Sequence, residues 1–215
     1  MPVTEVAILH LQPSVSLTEP SFRAKLLHTK KVMENALGIP GRHFNYYQDI
    51  KDPSVLYLLG DWQSPSEHWD RFIPSPENQQ MLELLKDDLD LPRIQMYHVD
   101  VPNAKIPASA EVVCISWYRV RTEDKVRFEE QVVQRTQCSN DGLSQGREAV
   151  GAGGWRIEKP DEFGDEEQWV HFRGRDNVEE HTRSGQTEAW KDDDHINTMV
   201  IGSEFKHGIR VDFNP

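Results

Sequence analysis

Three polar side chains alternate along one predicted strand: His43, Asn45 and Tyr47 fall on the same face of Arg42 to Gln48. Trp62 closes the next predicted strand, His68 and Trp69 open the helix after it, and His98 lies on a fourth strand. An imidazole titrating near neutrality takes a proton from a phenol or an activated methylene, and a Tyr or Asn holds the resulting oxyanion by hydrogen bonds. His68, Tyr47 and His98 are therefore the expected catalytic groups. His43, Asn45, Trp62 and Trp69 are the expected substrate contacts. A second set of Trp117, Arg119, Trp169, His171, His181 and His195 occurs later in the chain. Of these, Trp117, Trp169, His171 and His181 are expected to line a pocket. Six Trp residues favour a flat, apolar or aromatic small-molecule ligand over a sugar or phosphate.

Such groups work only if strands and helices hold them. Residues 54 to 82 read as a strand, a turn with Ser64 and Pro65, a short helix through Glu67, His68 and Trp69, and a second helix entered at Ser75-Pro76. A weaker copy spans 169 to 195, with Gly60 answered by Gly174 and the Glu67-His68 pair by Glu180-His181. Elsewhere Glu5 to Leu11 recurs as Glu111 to Trp117. Phe22, Leu26 and Leu27 recur as Phe128, Val132 and Val133, and Tyr97 to Val101 as Ile209 to Phe213, which sets Arg210 at the place of His98. Trp155 to Glu158 and Trp169 to Phe172 supply the intervening strands of the later half. The chain reads as an internal duplication. Each unit runs β-α-β-β-α-α-β, residues 1 to 101 and 110 to 215, with a proline-containing linker at 102 to 109. The first long helix is expected over 21 to 37, stopped by Gly38 and Pro40. A Gly-rich loop at 139 to 154 absorbs extra residues of the second unit and has no Gly-Lys-Ser context for a phosphate loop. A unit that covers one sheet face with its helices leaves an apolar opposite face, so two units packed sheet to sheet close into a barrel within one chain.

The segment LYLLGDWQSPSEHWDRFIPSPENQQ and the fragment EEHTRSGQTEAW, with its His-x-x-Ser spacing, resemble the antibiotic biosynthesis monooxygenase-like dimeric α+β barrel proteins. The first half departs from that pattern, since Ser75 lies seven positions after His68. The resemblance implies an α+β fold of two ferredoxin-like βαββααβ repeats forming an intrachain barrel. It further implies cofactor-free oxygenation of a planar aromatic or polyketide-type molecule in secondary metabolism. A cofactor-free cyclase, isomerase or lyase and a ligand-binding barrel stand as alternatives, as a monomer with pseudo-two-fold symmetry or a homodimer.

Composition narrows the classes. A net charge of -12 over 215 residues and a pI near 5.2 argue against nucleic-acid or anionic-membrane partners. No apolar run approaches the roughly 18 residues of a membrane span. The opening MPVTEVAILHL has no basic leader pattern, and Cys114 and Cys138 are the sole cysteines, so a reduced, cytoplasmic setting is expected. No metal is expected: Asp192, Asp193, Asp194 and His195 read as a solvated acidic run. Haem is not expected in the first half, where Gln79, Gln80 and Met81 occupy the axial-ligand neighbourhood of haem-degrading relatives.

Overall fold

The computed structural model describes residues 1–140, 151–175 and 194–213. Among the described residues eight strands form one antiparallel sheet: β1 (Val3–His10), β2 (Phe44–Asp49), β3 (Val55–Trp62), β4 (Gln95–Val99), β5 (Val112–Arg121), β6 (Gly151–Trp155), β7 (Glu166–Arg175) and β8 (Val200–Arg210). The strand order is β4-β1-β3-β2-β8-β5-β7-β6. The two outer strands then approach each other. Val99 bridges Arg156, the Asp100 amide donates to the Trp155 carbonyl at 3.0 Å, and the Ile157 amide to the His98 carbonyl at 2.8 Å. Closure leaves no long open edge, as a barrel requires.

Both halves thread their four strands in the same order, and the pairings fix which residues correspond. Glu5 lies between Gly60 and His98, and Cys114 lies between Arg173 and His207. The sequence-based alignment is thereby corrected: Cys114 takes the place of Glu5, not Glu111, and His207 takes the place of His98, not Arg210. Both β1 and β5 are buried on both faces, so their apolar pattern carries no parity to fix the register.

The sheet separates three apolar clusters. Val6, Tyr47, Tyr57, Tyr97, Ile115, Trp117 and Phe172 fill the barrel interior. Phe22, Leu26, Met33, Phe44, Tyr46 and Trp62 pack between the first half of the sheet and its helices. Tyr118, Phe128, Val132, Trp155 and Trp169 do so in the second half. Helix α1 (Pro20–Glu34) starts with Pro20 at its first turn and presents Phe22, Leu26 and Met33 inward. It stops three residues before the expected end, where Leu37 and Gly38 both take positive φ. The expected short helix over Glu67, His68 and Trp69 is a π-helical turn, Glu67–Phe72, in which the Ile73 amide reaches the His68 carbonyl at 2.9 Å. Helix α2 (Pro76–Leu85) begins as expected, with Ser75 accepting from the Asn78 amide.

Helix α3 (Lys125–Asn140) covers the second half, and the short helix Asp194–Asn197 precedes β8. The strand expected at 155 to 158 is Gly151–Trp155. The strand expected at 209 to 213 begins far earlier, at Val200. Residues 102 to 109 are no loose tether. Ile106 and Ala108 join the barrel interior, and the Ala108 carbonyl accepts from Tyr47 and Asn45. Among the described residues no helix is long and apolar enough to cross a membrane.

Candidate functional site

His68 and His98 are the predicted residues that the fold brings together. β4 turns Tyr97 and Val99 into the barrel, so His98 between them faces the helices. The π-helical turn sets His68 directly against it, with His68 Nδ1 and His98 Nε2 2.9 Å apart. The rings are 2% and 0% exposed. His98 Nδ1 lies 2.6 Å from Glu158 Oε1, and the His98 amide donates to Glu158 Oε2 at 2.6 Å. Trp69 Nε1 donates to the same carboxylate at 2.7 Å. On the far side, His68 Nε2 is 3.9 Å from Glu5 Oε2, which accepts from Trp62 Nε1 at 2.6 Å.

The protons can be placed from this geometry. Burial works to raise the Glu158 carboxyl, but the hydrogen bonds from His98 and Trp69 outweigh it and hold it at about 2. Glu158 is thus an acceptor, and His98 Nδ1 carries the hydrogen. With one proton on each ring, His98 Nε2 accepts from His68 Nδ1, and His68 Nε2 is left facing Glu5. Burial lowers the His68 pKa, opposed by the Glu5 charge and reinforced by His98 and Arg42, so its neutral form is favoured. Its ring is stacked between Trp62, 4.4 Å between centroids, and Trp69, 5.1 Å. Arg42 lies over the other face of this stack, 4.7 Å from the Trp62 ring, and pairs with Glu67 at 2.7 Å.

The remaining predicted residues are dispersed. Tyr47 lies on the opposite side of the sheet, inside the barrel, with its hydroxyl donating to the Ala108 carbonyl at 2.6 Å. Asn45 shares that face and that acceptor, at 2.8 Å. His43 is exposed. Trp117 is in the barrel interior, where Nε1 donates to the Tyr97 hydroxyl at 2.5 Å. Trp169 and His171 are on the helix-side face of the second half, alongside Cys114 and Ser116. His181 lies outside the described residues. The sequence reading missed Glu5 and Glu158. Glu5 left one signal, a carboxylate inside an otherwise apolar strand; Glu158 is 60 positions from its partner His98 and left none.

An open cleft of about 800 Å³ occupies one end of the barrel, where Trp117, Arg119, Arg156, Phe163, Gln168 and Ser203 meet. A second, of about 660 Å³, lies behind Phe163 and includes Arg121 and Glu166. Among the described residues neither lining contains a His, and His195 is exposed on its short helix. Among the described residues no cluster of His, Cys, Asp and Glu is arranged to hold a metal.

No family model and no curated protein matches the sequence. Solved structures do match over nearly the whole chain. A candidate monooxygenase from Fusobacterium nucleatum aligns with a TM-score of 0.63 at 8% identity, covering 98% of this chain and 93% of that one. An anthrone oxidase-like protein aligns at 0.59 and 11%, covering 98% and 92%. A heme-binding protein from Thermus thermophilus aligns at 0.54 and 11%, covering 99% and 93%. The fold is that of the α+β barrel these proteins share, and their differing names illustrate that this barrel hosts more than one chemistry.

Proposed function

We propose that this chain is a monooxygenase-like enzyme that acts on a planar aromatic or polyketide-type small molecule without a bound cofactor. We further propose two fused ferredoxin-like repeats, 1–101 and 110–215, joined through 102–109. The observation that carries the enzymatic reading is the His68–His98 pair strung between Glu5 and Glu158. It is a chain of four proton-handling groups, and its Glu158 end is half-buried, within reach of solvent. A neutral imidazole with a depressed pKa is free to accept a proton at neutral pH. Loss of a proton from an activated methylene leaves a carbanion that dioxygen oxidises. One oxygen atom stays on carbon as a carbonyl, and the other leaves as water with the two hydrogens. The fold likeness to an anthrone oxidase-like protein supports this substrate class at the level of shape.

The test is incubation with anthrone under labelled dioxygen, using the parent protein, His68→Ala and His98→Ala. Labelled anthraquinone from the parent and a loss of roughly a hundredfold or more in both variants is expected. Product that forms equally well in the variants overturns the reading. Turnover of a polyketide phenol under nitrogen would point to the cyclase, isomerase or lyase alternative. One observation favours a non-catalytic barrel: the His pair is sealed by Trp62 and Trp69, and neither cleft is lined by it.

A further inference from the structure

We infer that the cleft at the open end of the barrel is a binding site for a planar aromatic monoanion, a fused-ring carboxylate or phenolate, with Arg156 as its anchor. This site is separate from the His68–His98 pair and does not depend on the oxygenase reading. Arg156 is half-buried yet has no carboxylate within ion-pairing distance among the described residues. Its guanidinium is fixed from several directions. Nε donates to the Glu158 carbonyl at 2.8 Å, and one terminal nitrogen donates to Gln168 Oε1 at 3.2 Å. The plane lies on the Tyr97 ring, 4.1 Å from its centroid, with Phe163 at 5.8 Å. A guanidinium so held has lost its freedom before any ligand arrives, and an arginine of this kind pairs with carboxylates more strongly than a mobile one.

The other walls fit a flat ring. Trp117 and Phe163 supply aromatic surface, and Arg119 packs against Gly202 where a side chain would otherwise stand. The Arg119 guanidinium is already paired with Glu166 at 3.2 Å. Glu162 and Glu204 also face the cleft, Glu204 beside Lys206 at 3.3 Å. Two carboxylates in the lining repel a polyphosphate or a dicarboxylate, which restricts the ligand to one negative charge. A volume of about 800 Å³ admits several fused rings.

The test uses 9-anthracenecarboxylate as the fluorescent acid and 9-anthracenemethanol as its neutral counterpart, titrated into the full chain. The acid should bind saturably and roughly tenfold or more tighter than the alcohol. Arg156→Gln should abolish that preference by weakening the acid alone. Ser203→Trp, an exposed position at the rim, should weaken both probes, and it decides the matter if Arg156→Gln fails to fold. The lining of the cleft includes neither His68 nor His98, so failure of the oxygenase reading leaves this result standing. Equal affinity for acid and alcohol in the parent, absence of saturable binding, or full acid affinity in Ser203→Trp overturns the proposal.

Discussion

Tyr47 donates its hydroxyl to a main-chain carbonyl inside the barrel, and burial raises its pKa, so the phenol is a poor proton source where it stands. In Tyr47→Phe the Ala108 oxygen keeps its bond from Asn45, so it is not orphaned. We expect a stability loss of about 1 kcal/mol by urea unfolding and turnover within about twofold of the parent. A hundredfold loss of turnover with unchanged stability would restore Tyr47 to the catalytic set. His171 permits a prediction of opposite character. Burial, with Arg173 adding to it, pushes its pKa down to about 3. Below pH 6.5 the unfolded chain takes a proton that the folded chain refuses, so stability is whole above that pH and falls as pH drops toward 3. The slope is at most about 1.4 kcal/mol per pH unit for one such group. His68, also lowered, acts in the same direction; Glu158, held at about 2, adds nothing until the pH is below its ordinary value of 4.5. His171→Leu, which installs the residue found at the matching place in the first half, Leu58, should lose less stability than the parent between pH 7.5 and pH 5. Identical losses in urea midpoint would show that His171 does not titrate in this way.

At the scale of elements, what local chemistry fixes could be read, and what pairing fixes could not. Ser75-Pro76 announces the start of α2, and the hydroxyl does cap the Asn78 amide. Ser75→Ala should cost about 1 kcal/mol in thermal or chemical unfolding, since the amide loses its partner at a partly buried turn. A change under about 0.3 kcal/mol would mean that water replaces the cap without penalty. The alternation that placed Asn45 and Tyr47 on one face was legible, because β2 has one face toward aromatic residues of the barrel and one toward helices, whereas His43 falls before the strand and is exposed. Which face belongs to the helices was not. His68 and Tyr47 therefore looked like neighbours, although the sheet lies between them. Gly151 to Gly154 read as loop, because all four of these residues lack a large side chain. They form β6 since the neighbouring strand supplies the bulk: a side chain at Gly153 would strike the Trp169 indole at 2.6 Å.

At the scale of the whole molecule, Glu158 joins the halves. Its segment belongs to the second half, directly after β6, yet its carboxylate accepts from the His98 ring, the His98 amide and Trp69, all of the first half. The same place carries the backbone pairs that close the barrel, Asp100 to Trp155 and Ile157 to His98. The other junction, β2 against β8, is a ladder that includes Tyr47 opposite Arg210. Because the interior cluster draws on both halves, with Tyr57 and Trp117 in contact, opening either junction exposes one shared core. Unfolding should accordingly follow a single transition, coincident by Trp fluorescence and far-UV circular dichroism. Glu158→Gln keeps the shape but cannot accept as a charged group from three donors, and should lower stability by roughly 1 to 3 kcal/mol. Hydrogen exchange then locates the loss: the Ile157 and Asp100 amides should exchange faster than in the parent, while those of β1 and β3 change only with global stability. Two separated transitions, or equal acceleration at every amide, would mean that the halves fold as independent bodies and that the carboxylate does not hold the barrel shut.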